Sequence, residues 1–163
     1  MEMELSGLIK NDHSVSKMSM VDITAKSEVY REATARGQIR LKTETVKMIR
    51  EGRIEKGDPL YTAKISGILA AKNTSMLIPL CHPIPLTSVN IDVRILDENT
   101  IEVMSTVKTR AQTGVEMEAL VAVSVALLTI WDMVKQYEKD AEGQYPCTLI
   151  QNIHVVRKVK GVE

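Results

Sequence analysis

Apolar and polar positions alternate most strictly in two neighbouring runs. Val89, Ile91, Val93 and Ile95 are interleaved with Asn90, Asp92 and Arg94, and after Asp97-Glu98-Asn99 the pattern resumes with Ile101, Val103, Ser105 and Val107. Two period-two runs around a turn cluster predict a β-hairpin. An earlier alternation sets Ile39, Leu41, Thr43 and Thr45 against Arg40, Lys42 and Glu44, and predicts a half-buried strand from about Gly37. It gives way to a short helix over residues 44–51, ended by Gly52. Asp58 before Pro59 is a helix start signal, an N-cap followed by proline at the first helical position. The helix it opens carries Leu60, Ala63, Ile68 and Leu69 and lasts to about Lys72-Asn73. Residues 77–85 fit neither period. Pro79, Pro83 and Pro85 fix three φ angles, remove three donors and hold Ile78, His82 and Ile84 extended, which predicts a stiff loop.

The longest signal is residues 113–135. Thirteen residues from 119 to 131 carry no charge, with Glu116 and Glu118 before them and Asp132 and Lys135 after. Ala and Leu favour a helix, and such a run predicts a buried one; the uncharged stretch is shorter than the roughly 20 residues that a bilayer needs. Residues 149–159, with Ile153, Val155 and Val156, form a last strand. Val21-Asp22-Ile23-Thr24 is a short extended candidate, and residues 1–20 read as a flexible N-terminal arm. The order β-α-α-β-β-α-β predicts an α+β fold: a ferredoxin-like antiparallel four-stranded sheet with helices packed on it, and one extra helix. No linker or repeat divides residues 21–163, so they read as a single domain.

Composition narrows the picture. At 163 residues the chain has room for a core without disulfides. Lys+Arg and Asp+Glu are 21 each, so no global field points to nucleic acid or an anionic membrane, and any phosphate site must be a local cluster. With 3% aromatics and no Phe, the core rests on Val, Ile, Leu, Met and Ala. Cys81 and Cys147 form neither a metal spacing nor a disulfide framework, and the N-terminus has no signal-peptide core; both suit the cytoplasm.

The charged ends of the long helix are the first candidates for chemistry. Thr113 to Glu116 fits a capping box, a structural role that leaves a functional one open. Glu118, on the face of Val121, Val125 and Asp132, is either a helix-start carboxylate meeting the dipole or a group with a raised pKa. Asp132 and Lys135, three apart, form either an exposed ion pair or a proton- or phosphate-handling pair. Fourteen residues separate Glu118 from Asp132, about 21 Å along a helix. If both ends serve one site, a second copy must bring the missing end, as when two such helices run antiparallel across a two-fold axis. Cys81-His82 places a thiol and an imidazole on the proline frame, but without the further ligands that zinc needs. Lys56, Lys64 and Lys72 are scattered bases.

Several blocks resemble one family. Met20-Val21-Asp22-Ile23-Thr24-Ala25-Lys26, Lys56-Gly57-Asp58, the LIPLCHP block at residues 77–83, the TGVEMEAL block at residues 113–120 and Trp131-Asp132-Met133-Val134-Lys135 are similar to the molybdenum cofactor biosynthesis protein C family, the cyclic pyranopterin monophosphate synthases. The resemblance spans residues 20–156. It implies a lyase that converts 3′,8-cyclo-7,8-dihydroguanosine 5′-triphosphate to cyclic pyranopterin monophosphate and releases diphosphate. It also implies a ferredoxin-like subunit and a hexamer built as a trimer of dimers, with the site at the dimer interface. By motif match, Asp132 resembles the catalytic aspartate, and Lys56 and Lys135 the catalytic lysines. Leu80, Cys81, His82, Met117 and Glu118 match substrate-contacting segments, and Glu116 a further carboxylate of the site. Many members end in a glycine- and lysine-rich tail that this chain lacks, which makes Arg157, Lys158 and Lys160 candidates for its basic contribution. No cofactor is required by the sequence, and the residues leave magnesium dependence open. The alternative, a non-catalytic ligand-binding or regulatory oligomer on the same fold, differs in releasing no diphosphate.

Overall fold

The hairpin forms where alternation is strictest. In the computed structural model, which describes residues 18–161, strand β2 (Ser88–Ile95) pairs antiparallel with β3 (Thr100–Ala111), Val89 opposite Val107 and Val93 opposite Val103. The first strand, β1 (Val29–Arg40), pairs with β3 on one side and with the last strand, β4 (Leu149–Lys160), on the other. The sheet order is therefore β2-β3-β1-β4, all antiparallel, which is the order of a ferredoxin-like split βαβ. Helices α1 (Thr43–Arg50), α2 (Pro59–Lys72), a single-turn α3 (Thr74–Leu77) and α4 (Glu116–Glu138) complete the α+β fold.

Three local expectations need correction. The strand read from Gly37 to Thr45 ends at Arg40, and most of β1 lies before Gly37; Thr43 and Thr45 belong to α1. The reason is a distant cap. The buried Glu138 carboxylate, at the end of α4, accepts the Lys42 amide at 3.1 and 3.2 Å and the Thr148 hydroxyl at 2.5 Å, which stops the strand and starts the helix there. Val21-Asp22-Ile23-Thr24 is not a strand: it leads into a turn closed by the Lys26 amide on the Ile23 carbonyl at 2.9 Å. The long helix starts at Glu116 rather than Thr113, and no side chain caps it. The arm expected over residues 1–20 lies, up to residue 17, outside the described residues. Asp58 does cap α2, accepting the Leu60 and Tyr61 amides at 2.8 and 3.0 Å.

The core sits between α4 and the sheet. Ala33, Ala35, Gly37 and Ile39 of β1 face α4, and a Cβ on Gly37 would come within 2.8–2.9 Å of Ile153, Leu127 and Val123. Only glycine allows so close an approach at this position. Gly67 plays the same part between α2 and its neighbours, with the Ala122 carbonyl and Ile91 at 3.2 Å. Leu127 and Ile130 are fully buried. At 23 residues α4 has the length and composition to cross a bilayer, although its uncharged stretch alone is short; here it packs against the sheet and α2 instead.

Strand β4 departs from regular pairing twice. Ile39 faces Ile150, but Ala35 faces Val155 and Ala33 faces Lys158, so β4 gains one residue between Arg36 and Gln38 and another between Thr34 and Ala35. Asn152, in the first irregularity, has φ of 57°, a left-handed conformation that asparagine tolerates better than most residues. Beyond both bulges Lys160 stands opposite Arg31.

Candidate active site

At the N-terminal end of α4 the chain folds back over itself. The Glu116 carboxylate occupies the space that a Cβ on Gly114 would fill, and it pairs with the Lys158 ammonium of β4. Glu116 is therefore not the reciprocal arm of a capping box. Burial raises its pKa, but Lys158, its own backbone amide and Arg31 outweigh this and hold it below the ordinary value. Glu118, two residues on, is 4% exposed, and its Oε2 has no hydrogen-bond partner among the described residues. Burial first, and the Glu116 charge besides, raise its pKa against the pull of its own amide.

The proline loop closes the other side. Burial first, then the Glu118 charge, push the Cys81 thiol up, so it is held protonated rather than activated as a nucleophile. His82 Nε2 lies 2.8 Å from the Val21 carbonyl; a carbonyl can only accept, so Nε2 carries a hydrogen. Arg31, 8% exposed, spends its guanidinium on the carbonyls of Ala111 and Gln112 at 3.4 and 3.2 Å. The cleft between this loop and the helix end measures about 590 Å³, within the usual size of a small-molecule site. Leu80, Cys81, His82, Glu116, Met117 and Glu118 all line it, with Lys26, Arg31, Lys158 and Lys160. Four cations against two carboxylates, at a helix N-terminus whose dipole adds positive potential, make a place for a polyanion.

The C-terminal end of α4 holds the other candidates. Lys56 donates to the Asp132 carboxylate and to its backbone carbonyl, each at 2.9 Å, and Lys135 meets the second carboxylate oxygen at 2.7 Å. The hydrogen bond from Lys135 first, then that from Lys56, pull the Asp132 carboxyl down to about 2. Asp132 in turn raises the Lys135 pKa. All three side chains are exposed, and exposed pairs add little to stability. Two lysines on one carboxylate are thus poorly explained by folding alone. Beside them Leu128, Trp131 and Ile150 wall an open hollow of about 420 Å³.

The nine expected site residues therefore fall into two groups, six in the cavity and three at the far end of α4, and the single chain does not bring them together. The cavity also contains four basic residues. Lys158 and Lys160 line it, whereas Arg157 points to the opposite face of the sheet and pairs with Glu32 at 3.5 Å. Strand alternation alone separates Arg157 from the two lysines. Lys26 and Arg31 were not anticipated as site residues. Arg31 carries a signal, a charged residue on the same strand face as Ala33 and Ala35, but it is readable only once β1 is placed. Among the described residues no group of three or more His, Cys, Asp or Glu side chains is arranged to hold a metal ion.

Comparison with known proteins supplies the lineage. Residues 20–161 match the model of the MoaC family. A probable cyclic pyranopterin monophosphate synthase of Pyrococcus horikoshii is 59% identical over 143 residues, covering 88% of this chain and 89% of that protein. A protein of the same name in Sulfolobus acidocaldarius is 57% identical over 141 residues, 86% of this chain and 98% of that protein. One in Saccharolobus solfataricus is 57% identical over 145 residues, with 89% and 97% covered. With a match that runs from the turn before β1 to the end of β4, the chain belongs to the MoaC family.

Proposed function

We propose that this chain is a cyclic pyranopterin monophosphate synthase of molybdenum cofactor biosynthesis, a lyase that converts 3′,8-cyclo-7,8-dihydroguanosine 5′-triphosphate to cyclic pyranopterin monophosphate and diphosphate. The observation that carries the reading is the pairing of a cation-lined cavity with a Lys56–Asp132–Lys135 cluster on the two ends of one helix. The triphosphate lies in the cavity, held by Lys26, Arg31, Lys158 and Lys160. As the cyclic phosphate closes, a bond from a sugar oxygen to the first phosphorus forms, the bond to the diphosphate breaks, and the leaving diphosphate takes the electron pair. Lysine and arginine stabilise that developing charge. Glu118, whose Oε2 has no hydrogen-bond partner among the described residues, and His82 orient the purine-derived ring.

Ring rearrangement requires protons to move on and off nitrogen and oxygen. Asp132, held near 2 by two ammoniums, is a weak base at rest, and Lys135 is a charged donor. When the substrate's anionic groups draw a lysine away, Asp132 loses its depressing partner and becomes a better acceptor. Catalytic roles thus fall to Asp132, Lys56 and Lys135. Substrate binding falls to Leu80, Cys81, His82, Glu116, Met117 and Glu118.

The site spans two copies. About 21 Å of helix separates Glu118 from Asp132, more than one such substrate bridges. Apolar groups exposed alongside, Leu128 at 57%, Val156 at 43% and Ile153 at 38%, support a partner that covers this side. We read the assembly as a trimer of such dimers, in the cytoplasm, where Cys81 and Cys147 stay reduced. Incubation with the cyclised triphosphate tests the function: diphosphate and the pterin product are expected together. Binding without diphosphate release overturns the catalytic reading in favour of a ligand-binding oligomer.

A further inference from the structure

Lys56 is exposed and sits in a turn, yet its ammonium makes two 2.9 Å contacts with one residue. A lysine in solvent has little reason to hold one rotamer, so the turn that carries it must be fixed. Residues 54–57 form that turn, closed by the Gly57 amide on the Ile54 carbonyl at 3.0 Å, with Gly57 at a φ of 98° and Ile54 buried. Its central amide, that of Glu55, donates to the Tyr137 hydroxyl at 3.1 Å. The Glu55 carboxylate accepts from Gln136 at 3.1 Å. Tyr137 itself packs against the core. One helix, α4, thus provides Asp132 and, a turn further on, the two groups that grip the residue preceding Lys56.

We propose that Tyr137 is a positioning residue for turnover: its hydroxyl, by taking the Glu55 amide, fixes the turn that lays Lys56 on Asp132, with Gln136 assisting. The inference rests on the reading that the Lys56–Asp132–Lys135 cluster works in catalysis, but its physical half, the control of Lys56 by Tyr137, does not. A phenol hydroxyl is a weaker anchor than a backbone ladder, yet losing it leaves the amide of a tight turn to water and frees Lys56 to swing. Asp132 faces Lys56 from this turn and Lys135 from its own helix, with Tyr145 acting on Lys135 from the segment after α4. Only Lys56 depends on Tyr137.

The test is Tyr137→Phe, which keeps the ring in the core and removes the hydroxyl, with Gln136→Ala as a second variant. Carbon NMR of the Asp132 carboxyl reads the physical half without any turnover. Tyr137→Phe is expected to raise the Asp132 titration, Gln136→Ala to raise it less, and Tyr137→Phe to add nothing once Lys56→Ala is present. Steady-state diphosphate release reads the catalytic half: kcat is expected to fall roughly five- to tenfold, the effect of about one hydrogen bond, with KM little changed. An unmoved Asp132 titration in Tyr137→Phe, or an equal shift with and without Lys56, overturns the inference. If the titration moves as expected but Lys56→Ala keeps full turnover, it is the catalytic assignment of the cluster that fails.

Discussion

Glu118 and Asp132 are the same functional group on the same helix, fourteen residues apart, and their surroundings drive them in opposite directions. Glu118 is buried among cavity-lining groups, with one oxygen unpartnered among the described residues, and burial raises its pKa. Asp132 is exposed between two ammoniums and is pulled to about 2. One end of α4 sets a carboxyl with a raised pKa beside a set of cations; the other holds a carboxyl with a depressed pKa between two ammoniums. Separating two carboxyl groups in this way is how an enzyme assigns donor and acceptor roles at one pH. A site that needs both kinds of group faces a distance problem, one that a second copy of the chain would solve without lengthening any loop.

The largest expected effect comes from the exposed end. Asp132→Asn should fold and assemble as the wild type by light scattering, while diphosphate release falls roughly 10²- to 10⁴-fold; full turnover in a normal assembly would remove the C-terminal end from the reaction. Mixing is the next test. Chains carrying Glu118→Ala and chains carrying Asp132→Asn, unfolded and refolded together at equal amounts, should recover about a quarter of wild-type activity. Half of randomly formed pairs are mixed, and each mixed pair has one intact site out of two. No recovery, with mixed assemblies verified by mass spectrometry, would mean that each chain works alone.

Smaller effects separate the two carboxylates by their titrations. Lys135→Met should raise the Asp132 pKa more than Lys56→Met does, because the Lys135 hydrogen bond is the larger influence. Stability should follow pH with opposite signs at the two ends. Glu118, raised in the folded state, adds stability that is complete below its unfolded value and is lost as pH rises through the folded one. The wild type should therefore weaken relative to Glu118→Gln across that window in thermal melts. Asp132, depressed, adds stability present above its ordinary value of 3.8 and lost as pH falls toward about 2. The Asp132 effect should be the fainter, since its partners are exposed.

The parts of the fold that could be read in the sequence are those in which side chains alone decide. The hairpin of β2 and β3 follows from strict alternation, and α2 from Asp58 and Pro59. Most of β1 was hidden because α4 lies so close to it: the inward residues Ala33, Ala35 and Gly37 are small, and small residues make a weak hydrophobic signal. Thr43 and Thr45 continue an alternation that the backbone abandons, since the cap that ends it comes from Glu138, almost a hundred residues away. The site divides in the same manner. Motif residues on one continuous block, such as Glu116, Met117 and Glu118, were readable, and helix arithmetic separated them from Asp132. Lys26 and Arg31 reach the cavity through β1 and the turn before it, a placement that only the sheet reveals.

The two irregularities of β4 have a consequence for how this strand can change in length. Each extra residue exchanges the two faces of the strand, so one alone would send Lys158 and Lys160 to the open side and bring Arg157 and Val159 into the cavity. Two restore the original facing while holding the chain two residues back along β1, so that Lys160 meets Arg31. Between Gln151 and Arg157, then, the strand obeys a parity rule: an even number of residues added or removed leaves the cavity's charge intact, and an odd number inverts it. Anyone grafting, trimming or randomising this segment should count in twos.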